Sequence, residues 1–231
     1  MSGTRTAPRL RRRPFNAGLY LVTDRALCHG RPLVEVVQAA VSGGATLVQL
    51  REKALETRPF LELARALKAA LQASGVPLII NDRVDVALAA GADGVHVGQD
   101  DMPVADARRL LGPDAIIGLS VTTPAEAAAM DPALVDYAAV SPVFATPTKV
   151  TERVAPPEDW ARIRTLVDRP LLAIGGIHAG NAGRLRAAGF DGIAVVSALC
   201  AAEDPRQAAA TLRQRFILGE EAPRFTLDGP G

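Results

Sequence analysis

The residues able to do chemistry sit in short polar clusters, each following an apolar run. "QLREK" carries Gln49, Arg51, Glu52 and Lys53, "INDR" carries Asn81, Asp82 and Arg83, and "GQDD" carries Gln99, Asp100 and Asp101. Further on, "GLS" ends at Ser120, "ATPTK" supplies Thr146, Pro147, Thr148 and Lys149, "IGGI" holds Gly175 and Gly176, and "VVS" ends at Ser197. Arg51, Lys53 and Lys149 together could neutralise a diphosphate, whereas Asp82 and Asp101 would repel that anion unless a cation lay between them. The cation implied is hard and divalent. Mg2+ is typically held by one or two carboxylates with phosphate oxygens and water, the donors that such a site would offer. Paired glycines let backbone amides approach a ligand closely, and Ser197 can head a short helix whose amino end attracts phosphate, so a second site for a phosphate monoester is indicated. Taken singly, each charge could be half of a surface ion pair. Their shared position after apolar runs argues for a common site.

That position depends on the elements that carry the clusters. "GLYLVTD" reads as a strand, and residues 32–42 carry helical spacing that stops at Gly43 and Gly44. The same unit recurs in "TLVQLREK" with a helix over 59–73, "PLIINDR" with 84–90, "GVHVGQDD" with 103–111, and "AIIGLSVTT" with 124–130. "YAAVSPVFATPTK" with 157–167, "PLLAIGGI" with 181–188 and "GIAVVSAL" with 205–216 bring the number of units to eight in 231 residues. Strands alternating with helices require a parallel sheet, and eight units predict a single closed (β/α)8 TIM barrel. The competing open, doubly wound sheet would ordinarily place a Gly-rich fingerprint after the first strand, where this chain has Asp24 and Arg25. In a barrel the active site lies at the carboxyl ends of the strands, so the polar clusters should converge there.

Composition narrows the function classes. Apolar residues make up 48% and aromatic residues 4%, which suits a core of Ala, Val, Leu and Ile. A formal net charge of +1 gives no global attraction to nucleic acid or membrane. Cys28 and Cys200 form neither a CxxC motif nor a disulfide framework, so a reducing cytoplasmic setting is expected. No apolar run reaches the roughly 18 residues of a membrane span, and no secretory segment is recognisable. Residues 1–17, with the basic stretch "PRLRRRPF", are expected to be a disordered leader, 18–217 the catalytic barrel and 218–231 a loose tail. His96 inside "GVHVG" reads as a hydrogen-bonded core or supporting histidine rather than a base, and neither cysteine has a basic activator.

As a set, "QLREK", "IINDR", "HVGQDD", "GLS", "TPTK", "GGI" and "VVS" resemble the thiamine-phosphate synthase family in order and context, from about Gly18 to Phe216. The resemblance implies condensation of a hydroxymethylpyrimidine diphosphate with a thiazole phosphate (carboxylate), releasing pyrophosphate and, where the carboxylate is present, carbon dioxide, and forming thiamine phosphate. It implies that Gln49, Leu50, Arg51, Glu52, Lys53, Asn81, Ser120 and Lys149 contact the pyrimidine diphosphate, with Arg51, Lys53, Ser120 and Lys149 catalytic. It further implies that Asp82 and Asp101 bind Mg2+, and that Thr146, Pro147, Thr148, Gly176, Val196 and Ser197 hold the thiazole phosphate. Ionisation at the pyrimidine methylene would need charge stabilisation and alignment rather than a strong base. "REK" and "INDR" also occur in the related thiazole tautomerases, so an isomerase is the nearest alternative. A non-catalytic phosphometabolite-binding barrel is a more distant one. Gln49, Asp101 and the "TPTK" loop would have no work in a tautomerase. The partners expected are small-molecule substrates, with neither nucleic acid nor membrane; a homo-oligomer is left open.

Overall fold

The computed structural model describes residues 14–146 and 154–219. Its strands are β1 (Leu19–Val22), β2 (Leu47–Leu50), β3 (Leu78–Asn81), β4 (Gly94–Val97), β5 (Ile116–Val121), β6 (Tyr137–Val140), β7 (Leu171–Ile174) and β8 (Gly192–Val195). They pair in chain order, all parallel, and β8 closes on β1. The helices between them are α1 (Leu33–Ser42), α2 (Thr57–Leu71), α3 (Val84–Ala90), α4 (Val104–Leu111), α5 (Pro124–Ala129), α6 (Pro157–Leu166) and α7 (Ala182–Ala187). The short α8 (Ser197–Cys200) and then α9 (Pro205–Leu218) follow β8. The expected (β/α)8 barrel is therefore the observed one. A 3-10 turn over Ala26–Cys28 was not anticipated. Helix α2 begins before Pro59 because proline is tolerated in a first turn, where its missing N–H has no carbonyl to meet.

Alternation along each strand divides the apolar residues between two cores. Leu19, Leu21, Val48, Leu50, Ile80 and Val95 point outward beneath the helices. Tyr20, Leu47, Ile79, Ile116, Tyr137 and Leu172 point inward and fill the barrel. Burial on both faces explains why the strands read as continuous apolar runs. Phe15, assigned from sequence to the leader, closes the barrel floor with its ring centroid 5.8 Å from that of Tyr137, and Ala17 is buried beside it.

The floor carries a repeated clamp. Thr46, Asp93, Asp136 and Asp191 each stand immediately before an even-numbered strand. Each accepts a hydrogen bond from a backbone N–H at or near the start of the preceding odd strand: Leu19 at 3.1 Å, and Leu78, Ile117 and Leu171 each at 2.8 Å. The three aspartates also meet a basic side chain from the helix that leads into that odd strand, Lys68 of α2 at 2.6 Å, Arg108 of α4 at 2.6 Å and Arg164 of α6 at 2.8 Å. Arg108 is itself buried and donates further to the carbonyls of Leu134, Gly112 and Ala115. Each carboxylate thus fixes the start of one strand against the next and takes its charge partner from a covering helix.

Candidate active site

At the opposite end the strands open into a cavity. Gln49, Arg51, Asn81 and Ser120 border it on one side, and Thr146, Gly176, Val196 and Ser197 on the other. These expected site residues are thus brought together by β2, β3 and β5 and by the loops after β6, β7 and β8. Pro147, Thr148 and Lys149 lie outside the described residues. Leu50 sits in the outer core with no exposed surface, so only its backbone could face a ligand.

Lys53, Asp82 and Asp101 form an acidic shoulder. Asp82 follows β3 with φ 60°, a left-handed conformation that Asp tolerates better than most residues, and its N–H bonds the His96 carbonyl at 2.8 Å. Its carboxylate pairs with the Lys53 ammonium and lies within hydrogen-bonding reach of Asp101. Asp101 accepts from the Gly98 N–H at 2.7 Å. Burial first, and then the neighbouring Asp82 charge, hold the Asp101 carboxyl above the ordinary carboxylate range. Glu52 turns inward instead: Arg25 Nε is 3.2 Å from its Oε1, without hydrogen-bond alignment, and the side chain is 6% exposed.

The glycine pair is required sterically. Gly175 has φ 106° and Gly176 φ 64°; a Cβ on Gly175 would come within 2.6 Å of Pro142 Cβ, and one on Gly176 within 2.6 Å of the Ala145 carbonyl. The loop after β6 presses directly on the turn after β7, with Val143 N–H donating to the Ile174 carbonyl at 2.9 Å. Asn181 fixes the turn from behind by donating to the Gly176 carbonyl at 2.9 Å. Across the gap, α8 begins at Ser197, which lines the cavity beside Val196.

Beneath the cavity floor runs a connected set of polar groups that sequence reasoning did not assemble. Gln49 Nε2 donates to the Tyr20 hydroxyl at 2.7 Å, and the Tyr20 and Tyr137 hydroxyls are 2.8 Å apart. Tyr137 reaches His96 Nδ1 at 3.0 Å, and His96 Nε2 reaches Ser120 Oγ at 2.9 Å. His96 is therefore a supporting residue behind Ser120, one of the two roles expected for it. The signal that could have revealed the set is parity: Tyr20, Gln49, His96, Ser120 and Tyr137 all occupy inward positions. Gly118, one turn of the pleat before Ser120, leaves room for them, since a Cβ there would lie 2.1 Å from the Tyr137 ring.

Among the described residues no helix is long and apolar enough to cross a membrane. A family model described as Thiamine monophosphate synthase matches residues 19–199. The thiamine-phosphate synthase of Albidiferax ferrireducens is 58% identical over 199 residues, covering 85% of this chain and 90% of that protein. The thiamine-phosphate synthase of Leptospira biflexa is 53% identical over 206 residues, covering 86% of this chain and 97% of that one. Among solved structures, a thiamine phosphate pyrophosphorylase from Pyrococcus furiosus superposes with a TM-score of 0.80 at 39% identity, covering 88% of this chain and 96% of that one.

Proposed function

This chain belongs to the thiamine monophosphate synthase family and is a transferase of thiamine biosynthesis, and on that premise we propose that its cavity joins a hydroxymethylpyrimidine diphosphate to a thiazole phosphate with Mg2+ as cofactor. The observation that carries this reading is that Asp82 and Asp101 interact at the carboxyl ends of β3 and β4, next to Asn81, which borders a cavity whose other groups suit anions. Neighbouring like charges are unfavourable unless a cation or a shared proton lies between them. Both are hard oxygen donors, so they fit Mg2+, and the remaining ligands would come from phosphate oxygens and water. Among the described residues no group of three or more His, Cys, Asp or Glu side chains gathers into a closed metal cage. When bound, Mg2+ would neutralise charge growing on the diphosphate oxygens.

In this reading Arg51 and Lys53 hold the diphosphate at the acidic shoulder, with Lys149 as a further cation for the leaving group. The methylene carbon–oxygen bond breaks with its electron pair passing to pyrophosphate, and the thiazole nitrogen lone pair forms the new carbon–nitrogen bond. Gln49, Asn81 and Ser120 orient the pyrimidine ring. Thr146, Pro147, Thr148, Gly176, Val196 and Ser197 hold the thiazole phosphate so that its nitrogen faces the methylene carbon. Positioning and electrostatic stabilisation carry the reaction, which fits a cavity with many donors and no acid/base dyad. The test is incubation of the purified protein with both substrates and Mg2+, followed by chromatography. Thiamine phosphate and pyrophosphate in equal amounts are expected; isomerised thiazole phosphate alone would assign the cavity to tautomerisation.

A further inference from the structure

The hydrogen bonds beneath the cavity have a direction. An amide nitrogen can only donate, so Gln49 Nε2 obliges the Tyr20 hydroxyl to accept from it. The Tyr20 proton is then directed to the Tyr137 oxygen, and the Tyr137 proton to His96 Nδ1. With Nδ1 accepting, neutral His96 carries its proton on Nε2 and donates it to Ser120 Oγ. Both end residues line the cavity, and each keeps one group that the chain does not use. Gln49 presents its carbonyl oxygen, an acceptor, and Ser120 presents its own O–H, a donor. Both tyrosines are wholly buried, and burial raises the pKa of each, so their protons stay in the chain over the working pH range.

We propose that Gln49, Tyr20, Tyr137, His96 and Ser120 form a single polarised chain that selects an amino-substituted pyrimidine edge, with Tyr137 and His96 as positioning residues acting through Ser120. This rests on the cavity's reading as a pyrimidine diphosphate site. An aminopyrimidine offers an N–H donor beside a ring-nitrogen acceptor, the complement of the Gln49 carbonyl and the Ser120 hydroxyl. The corresponding 4-oxo ring offers the reverse, a carbonyl acceptor beside a ring N–H. Accepting it would require rotation of the Gln49 amide and of three hydroxyls, together with the other tautomer of His96. Because the links are continuous and lie in a closed barrel, no single group can reverse alone without leaving two donors or two acceptors face to face.

The first measurement needs no turnover. Nitrogen-15 NMR of the wild-type protein is expected to show His96 as the Nε2–H tautomer, and Tyr137→Phe, which keeps the ring and loses the hydroxyl, to show a mixture of both tautomers. An Nδ1–H tautomer in the wild type, or one unchanged by Tyr137→Phe, overturns the proposal whatever the enzyme's substrates. The second measurement compares kcat/KM for the 4-amino and 4-oxo pyrimidine diphosphates. Tyr137→Phe should lower that preference about tenfold or more, since the two ends can then choose their polarity separately, and leave the thiazole phosphate KM unchanged. Equal losses on both diphosphates would indicate a merely structural residue and would overturn the assignment. Should Tyr137→Phe fail to fold, Tyr20→Phe cuts the same chain one link earlier and carries the same expectations.

Discussion

The two ends of the barrel use the same residue type in opposite ways. At the floor, Asp93, Asp136 and Asp191 each meet one backbone N–H and one cation, so each carboxylate is neutralised where it stands. At the mouth, Asp82 and Asp101 face each other, with the Lys53 ammonium on Asp82 as the nearer counter-charge. A satisfied carboxylate fixes geometry and has little left to offer a ligand. Carboxylates that repel across a cavity rim hold back part of their charge for a cation that arrives from solution.

This contrast predicts that damage at the two ends should appear in different assays. The largest effect is expected at the floor. Asp136→Ala removes the partner of a buried guanidinium and should lower unfolding free energy by about 3–5 kcal/mol in urea titrations. Turnover per folded molecule should stay within about twofold of wild type, since the change lies a strand's length from the cavity. At the mouth, Asp101→Ala should reduce turnover at least about 10²-fold, on the order of 2.7 kcal/mol, with the urea midpoint nearly unchanged. A variant that loses stability instead of rate would erase the distinction between the ends.

Finer cuts divide the mouth itself. Ser197→Asp should weaken thiazole phosphate binding about tenfold by placing a like charge at the amino end of α8, while calorimetry finds pyrimidine diphosphate binding almost unchanged. Equal loss for both ligands would merge the two proposed anion sites into one. The smallest effect concerns the metal-free protein. Since the folded state holds the Asp101 carboxyl above its ordinary range, ionisation there costs native stability at pH values above that raised pKa. The cost fades as pH falls toward the unfolded value of about 3.9. Asp101→Asn, which can keep the bond from Gly98, should therefore raise Tm slightly at neutral pH, and the gain should vanish in acid. Mg2+ should then raise the Tm of the wild type more than that of the variant.

Much of this was legible in the chain before its structure. The apolar runs of β1 to β8 could be counted because strands buried on both faces carry few polar interruptions, and Gln49, Arg51, Asn81, Ser120 and Ser197 were found because each stands at or near the end of such a run. Leu50 shows what reading a motif as a block leaves undivided, a backbone contact from a side-chain one. It sits between Gln49 and Arg51, but strand alternation turns its side chain toward the helices. The Tyr20–Tyr137–His96 links escaped because they join β1, β6 and β4, which meet only across the closed barrel interior. The floor aspartates stand in "ADG", "VDY" and "FDG", where a lone carboxylate ahead of an apolar run shows neither its N–H nor its cation partner. A residue type repeated just before even-numbered strands, with a basic residue in the helix leading into each preceding odd strand, is the pattern to look for. Pro147, Thr148 and Lys149, outside the described residues, are known only from sequence.

The most direct measurement of the mouth's role is the rate of pyrophosphate release by the wild-type protein, with both substrates saturating, as Mg2+ is titrated from excess chelator upward. Asp82 and Asp101 acting as the cation's ligands predict negligible release in chelator and a saturable rise with Mg2+, with thiamine phosphate appearing in equal amount. Full release in chelator would show that the facing carboxylates serve some purpose other than holding a metal, and would contradict the assignment of the mouth.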